Sequence, residues 1–177
     1  MRCFIAIDIP EEFKSEISKS QNTLRNVSGL SAKFVASENF HLTLRFLDEV
    51  SDSQVKRIKE NLSSVKFQPF KVHLGKAGIF PSESYVRVIW VSLEPDEKVK
   101  ELARAINTSL GSRDERFESH ITLARVRNAG DKSALKKALR DVKVEKKDFK
   151  VKNFKLKKST LTAKGPIYED VAVFSLD

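Results

Sequence analysis

The chain has 177 residues, 40% hydrophobic and 32% charged, the profile of one compact domain long enough to bury a core. No apolar stretch approaches the roughly 18 residues of a membrane span, and Met1–Ile5 leads straight to Asp8, Glu11 and Glu12, unlike a signal peptide. The lone cysteine, Cys3, excludes an intrachain disulfide, reads as strand core and suits a reducing cytoplasm.

In chain order, residues 3–8 form a short apolar run of strand character, and from Glu11 onward Phe13, Ile17, Leu24 and Val27 keep a helical period. Phe40 to Leu47 alternates as a strand. Ser51-x-x-Gln54 has the form of a capping box, and Val55, Ile58, Leu62 and Val65 make one helical face. Phe70 to Phe80 returns to strand, with Gly75 and Gly78 as expected irregularities. The order then repeats. Residues 86–93 read as a strand, and Val99, Leu102, Ala103, Ile106 and Leu110 line a helix that Gly111 can end. His120 to Val126 is a strand, and Asp131 starts a helix carrying Ala134, Leu135, Ala138, Leu139 and Val142. From Phe149 the chain alternates again, with a one-residue phase slip at Asn153-Phe154 that predicts a bulge or bend. A last strand spans Ile167 to Leu176 after the Lys164-Gly165-Pro166 turn.

The repeat is sharpest in two phrases 79 positions apart, His41-Leu42-Thr43-Leu44 and His120-Ile121-Thr122-Leu123. The sequence holds three histidines and six threonines, so chance would put Thr two places after two of the histidines at roughly 0.3%, which answers the usual objection to short motifs. The distance from histidine to the third strand is the same in both halves, His41 to Phe70 and His120 to Phe149. The expectation is an α+β fold: one bilobal domain over 1–177, with duplicated strand–helix–strand–helix–strand units at 1–82 and 83–162 and a final strand at 167–176. A two-fold between the units would bring the histidine strands face to face across a cleft.

On a strand, residues two apart share a face. His41 and Thr43 therefore point one way and Leu42 and Leu44 the other, and the second phrase matches. An imidazole titrates near pH 6.5, so one member of a pair can be protonated while the other is neutral. Transfer at phosphorus fits this pair: one histidine takes a proton from the nucleophile and the other gives one to the departing oxygen. Thr43, Thr122 and a nearby cation would meet charge on the phosphoryl oxygens. His73 reads as structural. A two-histidine metal site is a rival, but zinc sites use three protein ligands and no such spacing occurs; no metal or cofactor is expected. The chain also lacks a Gly-x-Ser-x-Gly elbow and a glycine-rich phosphate loop.

Charge is uneven. Of the net +9, the segment Arg125–Lys158 holds fourteen Lys and Arg against four Asp and Glu, so the remainder is close to neutral. Such a block suits a phosphate-rich partner, and a non-catalytic RNA-binding module using 125–158 is the alternative reading.

The chain resembles the two-histidine phosphoesterase superfamily, and within it the RNA 2′,3′-cyclic phosphodiesterases, also called 2′-5′ RNA ligases. The likeness lies in Arg2–Ile7 with Pro10, Glu38-Asn39-Phe40 before the first phrase, Gly78–Ser82, Val88–Val91, His120–Arg125, and Ser159, Leu161, Thr162, Gly165, Pro166 and Tyr168. The resemblance implies antiparallel sheets facing across a central cleft with helices outside. It implies metal-independent opening of RNA 2′,3′-cyclic phosphate ends to 2′-phosphates, with His41 as proton donor, His120 as proton acceptor, and 2′-5′ joining as the reverse. It implies Thr43, Thr122 and Arg125 as substrate contacts, although strict alternation sets Arg125 opposite His120, so that role needs a twist or bulge. Expected partners are RNA ends, tRNA fragments among them, bound by a cytoplasmic monomer. Three positions depart from the family pattern: Ser119 replaces a common proline, Asp48 stands where a glycine is usual, and Arg45, on His41's face by alternation, is expected near substrate.

Overall fold

The computed structural model describes residues 1–112 and 117–177. In chain order they form β1 (Arg2–Asp8), α1 (Glu11–Arg25), β2 (Leu30–Phe34), a 3₁₀ turn (Ser37–Asn39), β3 (His41–Glu49) and α2 (Asp52–Ser63). Then follow β4 (Phe70–Pro81), β5 (Val86–Glu94), α3 (Glu97–Ser109), β6 (Ile121–Ala129), α4 (Lys132–Asp141), β7 (Phe149–Val151), β8 (Asn153–Thr162) and β9 (Gly165–Ser175). The fold is α+β, as the repeat implies.

Local chemistry sets the helix ends. The Ser51 hydroxyl accepts from the Gln54 amide at 3.3 Å while the Gln54 side chain accepts from the Ser51 amide at 2.7 Å, completing the predicted capping box. Asp131 caps α4 by accepting from the Ala134 amide at 2.8 Å. Past α3, Gly111 takes φ 69°, the left-handed conformation that glycine adopts without steric cost. The strand β2 is absent from the sequence reading: it has five residues, and only Leu30, Ala32 and Phe34 mark its inner side.

Every strand pair is antiparallel, in the order β7-β4-β5-β6-β3-β1-β8-β9, with β2 beside β6. The sequence units and the spatial halves are not the same. β4, the third strand of the first unit, pairs with β5 of the second, and β8 of the second unit pairs with β1 of the first. Each unit therefore gives its third strand to the other's half of the sheet. The phase slip at Asn153 is where this happens: β7 pairs with β4, the strand is interrupted at Lys152, and β8 joins β1. Gly75 likewise falls in a register shift between Leu74 and Ala77, whereas Gly78 pairs regularly with Trp90.

The two-fold can be located from register alone. Leu42 pairs with Ile121 and Lys71 with Lys150, and both pairs join residues 79 apart, so each is its own image. Phe70↔Val151 and Val72↔Phe149 flank the second pair symmetrically. Between β3 and β6, Leu42↔Ile121 is the sole ladder pair, so the two halves of the sheet are joined at one point.

Helices cover the other face of the sheet. α1 and α4 pack with β6 and β4, and α2 and α3 with β9 and β3. Phe13, Ile17 and Leu24 of α1, Leu62 of α2, and Val99, Leu102 and Ile106 of α3 are buried with Leu42, Leu74, Ile89, Ile121 and Leu123 of the sheet in one continuous core. Buried Gln21 of α1 donates to the carbonyls of Val35 (2.8 Å) and Leu123 (2.9 Å), satisfying main-chain groups at the end of the second histidine phrase. Leu42 is fully buried at the junction. Its truncation to alanine should cost about 3 kcal/mol, read as a lower urea midpoint with an unchanged m-value.

Candidate active site

Both histidine phrases point their polar side chains away from the helices. In β3, Leu42 and Leu44 are buried while His41 and Thr43 are half-buried, and in β6 Ile121 and Leu123 are buried while Thr122 is half-buried. Antiparallel register extended from Leu42↔Ile121 sets His41 across from Thr122 and Thr43 across from His120. Residues opposite each other in antiparallel strands share a face. The four side chains thus converge on one face at the two-fold.

Each imidazole is held through Nδ1. The His41 Nδ1–H donates to the Asn39 carbonyl at 2.7 Å and that of His120 to the Glu118 carbonyl at 2.8 Å, in each case the residue two before it. The arrangement leaves Nε2 as the working atom on both rings. The Thr43 hydroxyl donates to the His41 Nε2 at 3.1 Å. Burial pushes the His41 imidazole down from 6.5 to about 4. The Asn39 carbonyl and Asp8 oppose that shift, while Lys157 and Arg125 add to it. His41 is therefore neutral at pH 7 in the free protein.

Alternation fails at the same place in both phrases, with opposite consequences for the two arginines. Between β5 and β6 the register jumps from Ile89↔Ala124 to Trp90↔Thr122, leaving Leu123 as an extra residue. Leu123 and Ala124 are consequently both buried, and Arg125 rejoins the face of His120 and Thr122. Its charge reaches His41 and Tyr168. Between β1 and β3 the jump from Ile5↔Arg45 to Ala6↔Thr43 leaves Leu44 as the extra residue. The expectation for Arg45 is therefore corrected. The bulge turns it to the helix side, where it donates to Asn107 Oδ1 at 2.6 Å and lines a hollow with Gln54 and Asn61 of α2. Phe46 takes the position on the histidine face that Arg125 holds in the other half, and it is 66% exposed.

The two other departures from the family pattern have local causes. Asp48 has φ 53°, a conformation that suits glycine and that Asp tolerates better than most residues. Buried Ser119 donates its hydroxyl to the Leu93 carbonyl at 3.1 Å.

Several neighbours of the pair were not assigned roles in the sequence. Phe4 lies under His41 and Tyr168, with ring centroids 5.0 and 4.9 Å away, and Tyr168 meets His41 edge-on at 5.2 Å. Phe80 meets His120 edge-on at 5.1 Å and tilts against Trp90 at 5.0 Å. Beside His41, which pairs with Asp8, four charges form a closed ring. Lys155 and Lys157 each contact both Asp8 and Asp170 at 2.6–2.9 Å. Burial acts to raise both carboxyls, yet the two ammonium groups outweigh it and hold them below the usual range. Tyr168 carried a signal, since it lies in the resembling segment. Lys157, 8% exposed, carried none: within a lysine-rich run nothing marks which lysine is buried.

The basic segment divides between two surfaces. Arg125, Lys155 and Lys157 lie on the histidine face, whereas Lys132 and Lys136 of α4 bind the β4–β5 turn through the Ser84 carbonyl (2.7 Å) and Glu83 (3.1 Å). Among the described residues no three His, Cys, Asp or Glu side chains cluster closely enough to hold a metal ion, and no helix is long and apolar enough to cross a membrane.

The model of the LigT-like phosphoesterase family matches residues 7–90 and 91–168. The chain belongs to this family. Each matched segment of the LigT-like phosphoesterase model contains one histidine phrase. Curated relatives named RNA 2′,3′-cyclic phosphodiesterase include one from Archaeoglobus fulgidus, 36% identical over 98% of this chain and 99% of its own. Another, from Methanocaldococcus jannaschii, is 41% identical over 96% of this chain and 97% of its own. In structure the chain is similar to a protein of Thermus thermophilus, with TM-score 0.81 and 27% identity over 99% and 98% of the two chains. Escherichia coli LigT complexed with 3′-AMP shares the fold at TM-score 0.77 and 24% identity, over 99% of this chain and 97% of its own.

The ring state of His41 is directly measurable. In an NMR titration of the free protein, His41 should remain the neutral Nδ1–H tautomer from pH 8 downward and protonate only near pH 4.

Proposed function

We propose that this protein opens RNA 2′,3′-cyclic phosphate ends to 2′-phosphates, with His41 as the general acid and His120 as the general base. The supporting observation is the pair of Nε2 atoms on one sheet face, each ring fixed through Nδ1 to a main-chain carbonyl. Water attacks phosphorus as His120 Nε2 takes its proton. The P–O3′ bond breaks and His41 Nε2 gives a proton to the departing O3′. Thr43, Thr122 and Arg125 hold the phosphoryl oxygens as charge develops on them. With a 5′-hydroxyl in place of water as the nucleophile, the same steps make a 2′-5′ linkage. RNA ends as the substrate class fit the names of the relatives and the cations around the pair. In this reading residues 1–177 work as one two-lobed unit, a cytoplasmic monomer for which tRNA fragments are natural substrates.

A proton donor that is neutral in the free protein has to be charged by its substrate. An anion beside a half-buried imidazole stabilises the imidazolium, so phosphate binding and His41 protonation reinforce each other. The Asp8 carboxylate adds in the same direction and Lys157 and Arg125 oppose it.

Two measurements test this reading. On RNA ending in a 2′,3′-cyclic phosphate, His41→Ala and His120→Ala should each lose about 10²–10⁴ in turnover, while a chelator should leave the wild type unchanged. Full activity in either variant, or abolition by chelator, would sink the mechanism. The second concerns pH. Sulfate keeps its charge between pH 4.5 and 8, and its binding takes up a proton at His41. Its affinity should therefore rise as pH falls through that range, and that His41 increment should vanish in His41→Gln, as read by calorimetry.

A further inference from the structure

We propose that Phe80 and Trp90 form a platform for the nucleoside of an incoming RNA 5′-hydroxyl end, a second subsite beside the one that holds the cyclic phosphate. The inference rests on the acid and base roles just given. In an in-line displacement the nucleophile and the leaving oxygen lie on opposite sides of phosphorus. The leaving O3′ belongs to the ribose of the cyclic end, so that nucleoside lies on the side of His41. The nucleophile enters on the side of His120.

Hydrolysis requires only a water there, yet the structure builds a wall of rings. Trp90 pairs with Thr122 and with Gly78, and Phe80 pairs with Val88, which in turn pairs with Arg125. Trp90 and Phe80 therefore share the face of His120, Thr122 and Arg125. Both rings are half-buried, so each keeps open surface. The backbone is shaped around the indole: a Cβ on Gly78 would run into the Trp90 ring.

Packing alone does not account for these choices. The Trp90 Nε1–H is buried without a hydrogen-bond partner, a cost that an apolar side chain would avoid. The two-fold supplies an internal control, because the matching positions around His41 are Ala6 opposite Thr43, Lys157 opposite Phe4, and Lys155 opposite Ala6. The scaffold itself thus does not demand rings in these places. The His41 side has its own open rings, Phe46 and Tyr168, for the nucleoside of the cyclic end. Two aromatic surfaces flanking one phosphate match two nucleosides, and sequence-tolerant stacking on rings is a common way to hold a base.

With an acceptor in place, its 5′-oxygen forms the bond to phosphorus and its proton passes to His120 Nε2. The P–O3′ bond breaks and O3′ takes a proton from His41, leaving a 2′-5′ phosphodiester and a free 3′-hydroxyl.

The experiment is a partition measurement. RNA bearing a 2′,3′-cyclic phosphate is incubated with excess oligoribonucleotide carrying a 5′-hydroxyl, and the ratio of 2′-5′ joined product to hydrolysed 2′-phosphate is read. Both products use the same acid and base, so damage to His120 lowers both and leaves the ratio alone. The ratio should fall about tenfold in Trp90→Leu and in Phe80→Leu, the loss expected of one base–ring stack, and should be largely kept in Trp90→Phe. An unchanged ratio in both leucine variants overturns the proposal, as does a wild type that hydrolyses but never joins at millimolar acceptor. A raised KM for the cyclic end with an unchanged ratio would overturn it too, by placing the first nucleoside on these rings. If the wild type makes neither product, the hydrolase reading itself falls and the subsite falls with it.

Discussion

The site depends on one backbone pairing. Leu42 and Ile121 are equivalent residues of a duplicated unit, and they pair with each other on the two-fold. Because that pairing is antiparallel, the polar residues beside them cross over, so each histidine faces the other phrase's threonine. The exchange of third strands secures it. With β4 paired to β5 and β8 to β1, neither unit can close its half of the sheet without the other. Two strands that share a single ladder pair are thereby held at a fixed angle. Helices pack behind the junction and leave its other face open.

The bulge after each threonine is common to both halves, and the asymmetry of the site comes from the different side chains that the two halves turn to one face. Leu44 and Leu123 are both extra residues in their ladders, so in each half the residue three after threonine returns to the histidine face. One half places Arg125 there and the other Phe46. Around them the two-fold sets Lys155 and Lys157, braced by Asp8 and Asp170, against Gly78 and Phe80. Both imidazoles thus pack against rings, His41 against Phe4 and Tyr168 and His120 against Phe80, while the ring of four charges stands beside His41. Such asymmetry suits the proposed assignment, in which the two histidines play chemically different roles at one phosphate.

Much of this was legible beforehand. Helical periodicity located the four α-helices of the described residues, and the capping residues Ser51 and Asp131 marked two of their starts. Matched phrases 79 residues apart announced both the duplication and the pair of histidines that the structure brings to one face. Short-range alternation misled where a bulge intervened. Arg45 looked like a neighbour of His41 and is instead a partner of Asn107, while Arg125 looked misplaced and is not. The strand β2 escaped notice because five residues carry too few alternations to stand out.

The sequence by itself determined the units, the paired histidines, the residues that point with them, and the family. The family rests on the likeness of its motifs, and the rest follows from periodicity and local chemistry, which act over a few residues. Only the tertiary structure decided which half each third strand joins, where alternation breaks, which lysine of a basic run is buried beside His41, and which rings stand beside His120. These outcomes turn on pairing between residues distant in the chain. A strand's neighbours set its register, and desolvation by those neighbours sets the proton affinity of the histidine it carries.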